Sequence, residues 1–520
     1  MKTPVIDFIT EYENAQTTRL HMPGHKAQAL LGFEGRDITE IKGAGELYES
    51  TGPVGEAEAY TAELFGSAKT CWSTEGSSQC IRAMLAMTRE QGIRTLETDS
   101  AARPYILAAR NVHRSFLTAC ALLDLDIEWL WPEKSEYTLC SCPVTARQVN
   151  ERLIACDILP IAVYLTSPDY LGGLQDIQGI ADVCHKYGVP LLVDNAHGAY
   201  LKFLPTSLHP LDLGADLCCD SAHKTLPAVT GCAYLHISKA APTSFAEIAK
   251  KYMALFGSTS PSWLLLQSLD KCNELLATEY PAALTTCVER LTKLKEKLSN
   301  AGWVLLDVDN PTCGTEFDEF TVVKCNPTTA DAKETGYAFS AVEPLKLTIN
   351  ATASGCTGPE LADALRTHNI ECEYADPDYV VLMPSPYNTD EDWTRLEEAL
   401  LGGNTAPTAS TATTTNVAST ANTATTQNAP VALKPRLTQT TTNFTLHPPK
   451  RVLTPRQAML APSTTVPVEQ AVGKVLATGT LSCPPAVSVI TAGELITEDA
   501  LPVLKHYGVT EVEVVNQLKW

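Results

Sequence analysis

The sequence predicts an α/β protein on a mostly parallel sheet, and three observations carry that expectation. Short β-branched or apolar runs alternate with longer helical patterns from about residue 67 to 237. Several of those runs end in polar residues, as strands do where a sheet of this kind holds its ligand. No run approaches the roughly 18 apolar residues that a membrane span needs.

In chain order the strands are "PYILAA" (104–109), "DIEWLW" (126–131), "LPIAVYLT" (159–166), "VPLLVD" (189–194), "ADLCCD" (215–220) and "GCAYLHI" (231–237). Helical patterns fall at Gly76–Glu90, Val112–Leu123 and Ile177–Tyr187. Past residue 245 the pattern is helical, and from about 302 to 401 it is mixed α+β. A Thr/Ala/Asn tract at 403–445 holds too little apolar surface to offset its ordering and reads as a linker. Apolar periodicity returns at 446–520 as a small C-terminal domain. The expected division is an arm (1–50), a large domain (51–260), a helical connection with a small α+β domain (261–402), the linker and that last domain.

Composition narrows the function. A formal charge of −21 over 520 residues, with no Lys/Arg clusters, argues against nucleic acid and mildly favours cationic small molecules. The 17 cysteines are odd in number and form no C-x-x-C pair, which fits reduced cytosolic thiols better than disulfides or a zinc site. The acidic start "MKTPVIDFITEYENAQ" is unlike an export signal, so a cytoplasmic location is expected.

Four strand ends carry unusual polar groups. "WSTEGSSQC" is a small-residue turn opening a helix, where backbone N–H groups with Ser77 and Ser78 could hold a phosphate or simply cap the helix. "ARNVHRS" places His113 at the next helix start, either against an aromatic ligand or as a cap. "VPLLVDNAHGAY" runs five apolar residues into Asp194, a carboxylate that needs a partner, such as a protonated ligand nitrogen, unless it caps a turn. "SAHKTL" puts Lys224 just past a buried strand, 30 residues after Asp194 (224 − 194). Phosphate cup, stacking ring, carboxylate and lysine are the parts of a pyridoxal-phosphate site, where lysine forms the imine and the carboxylate keeps the ring nitrogen protonated.

These residues resemble the Orn/Lys/Arg decarboxylases, short-form members of the fold type I pyridoxal-phosphate enzymes. The resemblance rests on "HMPGHK" (21–26), "EGSS" (75–78), "RNVHRS" (110–115), "VDNAHGAY" (193–200), "SAHKTL" (221–226) and "STSPSWLLLQSLD" (258–270), and extends to "PPKRVLTPRQAMLAP" and "VPVEQAVGKVLA". It implies an aspartate-aminotransferase-like large domain and pyridoxal 5'-phosphate as cofactor. Lys224 would be the Schiff-base lysine, Asp194 the ring-nitrogen partner and His113 the stacking ring. Gly76, Ser77, Ser78 and Ser221 would bind phosphate, with Thr166, Ala196, His197 and His223 around the ring and the substrate carboxylate. Thr259 and Ser260 would reach the phosphate of a neighbouring subunit, implying a homodimer or larger. The implied activity is α-decarboxylation of arginine, lysine or ornithine, with a role in polyamine biosynthesis. Another fold type I enzyme, an aminotransferase or lyase, or a catalytically silent homologue, is the alternative.

Three departures from the family pattern stand out. Glu75 replaces Asn in the phosphate turn, Asn195 replaces Glu after Asp194, and "PPAVSVITAGE" keeps Gly493 and Glu494 but loses prolines. No metal site is expected: Pro23 and Gly24 break the helix that would pair His21 with His25. "GAGELYESTGPVGEAEAY" lacks a phosphate-loop lysine and is not a nucleotide site.

Overall fold

A computed structural model describes residues 2–95, 103–132, 140–306, 341–402, 444, 447–478 and 489–516. The expected linker thus lies almost wholly outside the described residues. The chain forms two compact units, one of residues 1–285, 307–343 and 443–520 and one of 286–306 and 344–442.

The first unit is built on a seven-stranded sheet: β1 (Lys69–Ser73), β2 (Tyr105–Ala109), β3 (Asp126–Leu130), β4 (Ala162–Thr166), β5 (Leu191–Asp194), β6 (Leu217–Asp220) and β7 (Ala233–Ile237). Their spatial order is β1-β7-β6-β5-β4-β2-β3, and only β7 runs against its neighbours. Each predicted strand is present, trimmed at its ends. Alternate residues explain why the runs read as apolar throughout: Ile106, Ala108, Tyr164 and Leu192 enter one core, while Leu107, Ala109, Val163, Leu165, Leu191 and Val193 enter the other. A parallel sheet covered on both faces needs apolar residues at both phases.

Helices α1 (Pro4–Asn14), α2 (Gly52–Phe65), α3 (Ser77–Thr95) and α4 (Arg114–Leu123) precede or follow the first two strands. The start of α4 falls two residues later than the sequence pattern suggests, because the His113 ring accepts from the Ser115 amide at 3.1 Å and acts as its N-cap. Lys224 lies just past the strand, as the sequence pattern indicates. It sits in a single helical turn, Ala222–Thr225, just beyond β6.

The second unit carries a three-stranded antiparallel sheet, with Tyr379–Leu382 between Leu347–Asn350 and Tyr374–Ala375, and helices Gly358–Thr367 and Asp390–Leu401. Trp303 donates its indole N–H to the Leu400 carbonyl at 2.9 Å, joining the first and last segments of that unit.

Residues of the C-terminal segment pack within the first unit. Ser463–Pro467 pairs with Glu511–Val515, and the segment closes on the sheet through Arg110. That guanidinium is fully buried and donates to both Glu494 oxygens at 2.9 and 2.7 Å and to the Val489 carbonyl at 3.3 Å. The Trp131 ring lies 4.2 Å and the Trp129 ring 5.1 Å from it. A two-point ion pair bounded by two indoles satisfies both charges without water. The glutamate retained in the altered "ITAGE" motif is therefore a docking residue. Arg110→Ala strands the buried Glu494 carboxylate, and urea unfolding should show a loss of about 3–5 kcal/mol. An unchanged midpoint would contradict the pairing.

Candidate active site

The site forms where parallel strands end side by side. Asp194 closes β5 and pairs in register with Cys219 of β6, one residue before Asp220 and two before Ser221. On its other side Asp194 pairs with Thr166, the last residue of β4. The link from β5 to β6 holds only a short 3-10 turn, Ala199–Phe203, so the chain returns directly to the adjacent strand. Gly198, which precedes that turn, has no room for a side chain: a Cβ there would lie 2.0 Å from Asn195 Oδ1 and 2.6 Å from Pro168.

Asp194 is almost completely buried, and among the described residues it has no ion-pair partner. Its Oδ2 accepts from the Tyr164 hydroxyl at 3.3 Å, and its Oδ1 from the Ala196 amide at 3.2 Å and the Cys219 thiol at 3.6 Å. The amide contact is the turn cap that the sequence left open. It does not neutralise the carboxylate, so a buried anion still lacks a countercharge. Burial and the Asp194 charge together push the Tyr164 phenol well above its ordinary range, which keeps it a donor.

Lys224 is half-buried, and its Nζ lies 3.1 Å from His197 Nε2. Tyr170 meets the His197 ring edge-on with centroids 4.7 Å apart and fixes its plane. His223, the neighbour of Lys224, turns its Nδ1 to the Cys232 carbonyl at 2.9 Å. Burial lowers its pKa, the carbonyl opposes that shift, and Lys224 adds to it.

The serines of two helix starts and the lysine turn meet as hydroxyl pairs. Ser221 Oγ donates to Ser77 Oγ at 2.7 Å, and Ser115 Oγ donates to Ser78 Oγ at 2.7 Å. Gly76 enters the turn with φ +69° and open space where a Cβ would stand. Glu75 is exposed, and its amide donates to the Ser73 hydroxyl at 3.0 Å, so the acidic side chain points out of the turn. His113 adjoins this group and is half-buried. Burial lowers its pKa, the Asp194 carboxylate raises it, and Lys224, Arg82 and Arg114 lower it again. Both of its alternative roles are open to it, since it caps α4 through one nitrogen while its ring lies within the fields of Asp194 and Lys224.

Thr259 and Ser260 are exposed in the turn between helices Thr243–Leu255 and Trp263–Ala277, where the Ser260 amide donates to Ser258 Oγ at 3.1 Å. They are not brought into the hydroxyl group of their own chain. His21 bonds Tyr12 at 2.7 Å and His25 bonds Asp37 at 3.1 Å. Three members of the site, Tyr164, Tyr170 and Ser115, and the docking residue Arg110 carried no signal of their own in the sequence. Ser115 and Arg110 bracket His113 in "RNVHRS", and that motif was the available clue.

The residues fit pyridoxal phosphate on two counts. Thr166 is buried at the end of β4 with its hydroxyl unpartnered among the described residues, and Asp194 is a buried anion facing the same region without a cation. A ring with a protonated nitrogen and polar substituents supplies what both lack.

The model of the Orn/Lys/Arg decarboxylase major domain matches residues 3–392. The chain belongs to the Orn/Lys/Arg decarboxylase family. Arginine decarboxylase of Bacillus subtilis is 25% identical over 516 residues, covering 96% of this chain and 92% of that protein. Arginine decarboxylase of Bacillus anthracis is 25% identical over 518 residues, covering 97% and 92%. The lysine decarboxylase structure of Francisella novicida superposes with TM-score 0.73 at 16% identity, over 99% of this chain and 81% of that one. That of Pseudomonas aeruginosa lysine decarboxylase A gives 0.74 at 15% identity, over 99% and 80%. The fold is that of the fold type I pyridoxal-phosphate enzymes, and this family member is a pyridoxal-phosphate-dependent amino-acid decarboxylase. Among the described residues no helix is long and apolar enough to cross a membrane.

The charges around His113 give a direct check. In nuclear magnetic resonance titrations of the cofactor-free protein, its ring should titrate below the ordinary 6.5. Lys224→Met, which removes a cation, should raise that value; Asp194→Asn, which removes an anion, should lower it further. A ring indifferent to both would show that His113 does not share their cavity.

Proposed function

We propose that this enzyme removes the α-carboxyl group of a basic amino acid, and that arginine is its substrate in preference to lysine or ornithine. The observation that carries the cofactor assignment is the buried Asp194, with no cation beside it among the described residues, on the strand adjacent to the Lys224 turn, and the reaction class is supported by the family match over residues 3–392. Support for arginine comes from relatives named arginine decarboxylase that align over nearly the full chain. The net charge of −21 suits a cationic substrate and product.

Bound pyridoxal phosphate supplies the electron sink for the pair left behind when CO2 departs. The chain's own residues do the rest. Lys224 Nζ, 3.1 Å from His197 Nε2, would hold the cofactor through its amine and is the group placed to carry a proton to Cα. His197 aims that amine, and Tyr170 aims His197. Asp194, held by Tyr164, Ala196 and Cys219, keeps the ring nitrogen protonated. Gly76, Ser77, Ser78 and Ser221, joined by Ser115, would hold the phosphate, the hydroxyls that now pair as Ser221–Ser77 and Ser115–Ser78 being free to turn to it. Thr166 and Ala196 would line the ring, His113 would offer it a flat face, and His223 would border the substrate side. Each turnover releases one CO2 and takes up one proton, so the amine product is more basic than the amino acid.

We assign Thr259 and Ser260 to the phosphate of a second subunit in a homodimer. Their exposure supports this, as does the exposed apolar stretch of the arm, where Leu20 is 90%, Leu30 75% and Leu31 77% accessible. A five-part division along the chain, with the C-terminal domain packed within the first unit, a place in polyamine formation and a cytoplasmic location complete the reading. The odd number of cysteines, with no C-x-x-C pair, supports the last.

A CO2-release assay with arginine, lysine and ornithine tests the proposal. Arginine should give the largest kcat/KM and agmatine as product, and Lys224→Ala should lower kcat by at least about 10³-fold. Keto-acid-dependent amine transfer without CO2 would overturn the reaction class, and a preference for lysine or ornithine would overturn the substrate.

A further inference from the structure

Behind Asp194 lies a second buried carboxylate that the reaction does not call upon. Asp220, at the end of β6, has no solvent exposure, and neither do His209, His236, Cys218 or Asn195 around it. Its Oδ2 accepts from His209 Nε2 at 3.0 Å and His236 Nε2 at 3.2 Å. Its Oδ1 accepts from Asn195 Nδ2 at 2.7 Å and the Cys218 thiol at 3.4 Å. The tautomer of His209 is set by the Leu211 amide, which donates to Nδ1 at 3.4 Å and leaves the proton on Nε2. Thr70 on β1 bonds His236 Nδ1 at 2.8 Å. The carboxylate thus ties together β1, β7, β6 and the end of β5. Burial pushes its pKa up, but His209 and His236 outweigh that and hold it well below the usual carboxylate range.

Asn195 is the residue immediately after Asp194. Its amide N–H donates to the Cys219 carbonyl at 3.0 Å and its side chain to Asp220, so backbone and side chain both clamp the β5 end onto the β6 end. This accounts for the uncharged residue at 195. A carboxylate there would stand 2.7 Å from the one on Asp220, where two anions cannot both ionise.

We propose that Asp220 is a positioning residue of the cofactor site: through Asn195 it fixes the Asp194 carboxylate relative to the Lys224 turn, and the neutrality of Asn195 is required for that lock. The proposal rests on the assignment of Asp194 and Lys224 given above. It makes the cluster of Asp220 and its four donors a strand clamp and not a metal site, although His209, Cys218 and Asp220 are close enough to act as ligands.

The test titrates cofactor-free protein with pyridoxal phosphate, follows the visible band of the bound cofactor against pH, and records far-ultraviolet circular dichroism. Asp220→Asn should weaken cofactor binding about tenfold and move the pH at which the band titrates, with the secondary structure unchanged. Asn195→Asp should weaken binding at least as much. The exchange Asn195→Asp with Asp220→Asn restores one charge and one amide across the 2.7 Å contact and should bind better than either single variant. If a single variant fails to fold, a folded exchange variant with near-parental affinity gives the same answer. Parental affinity and band titration in Asp220→Asn would overturn the proposal, as would an exchange variant no better than the singles. A stoichiometric metal ion in the parent that is lost with Asp220 would also overturn it. Asp194→Asn and Lys224→Ala run in parallel: if they bind cofactor like the parent, the site assignment itself falls.

Discussion

Parallel pairing of β5 with β6 is the constraint on which the site depends. It sets Asp194 opposite Cys219, so a carboxylate at one strand end and a lysine turn at the next stand side by side, although 30 residues separate them (224 − 194). The connection between the strands, residues 195–216, turns tightly at Gly198. A larger residue there would collide with Asn195 and Pro168 and push the two ends apart. Everything polar in the site is arranged around that juxtaposition, with β4 contributing Thr166 on one flank and the helix starts of α3 and α4 contributing serines.

The surrounding core makes this arrangement stiff. Both sheet faces are covered by close-packed apolar cores, so a strand that slipped by one residue would swap side chains of different size between two fitted layers. The buried Asp220 cluster adds a directional element to an otherwise apolar frame, and the Arg110–Glu494 pair holds the C-terminal segment to the motif that carries His113. In each case a charge removed from water is matched by several well-aligned donors or acceptors, the condition under which such a group specifies geometry and does not merely cost stability. Asp194 is the exception among them, a buried carboxylate with only neutral donors.

Strand positions were legible in the sequence because buried parallel strands are continuous apolar runs bounded by polar residues, and "VPLLVD" and "ADLCCD" are clear instances. The convergence of Lys224, His197, Asp194 and the serines could also be anticipated, since each follows a strand at the same edge of the sheet. Other residues left no such trace. Tyr164 lies within a strand and reads as core. Asp220 reads as the last residue of a run, and its four donors come from β5, β6, β7 and the loop before β6, a set that only the folded chain brings together. The role of Asn195 was visible as a departure from the family pattern but had no physical explanation until its partner across the strands was known. Helix starts were displaced by a residue or two because caps depend on side-chain geometry, as with His113, and not on periodicity alone.

The most direct test is chemical. Borohydride reduction of the pyridoxal-phosphate-loaded protein, followed by proteolysis and mass spectrometry, should place a single phosphopyridoxyl group on the peptide containing "SAHKTL", at Lys224. A modification found on another lysine, or spread over surface lysines with Lys224 unmodified, would contradict the account.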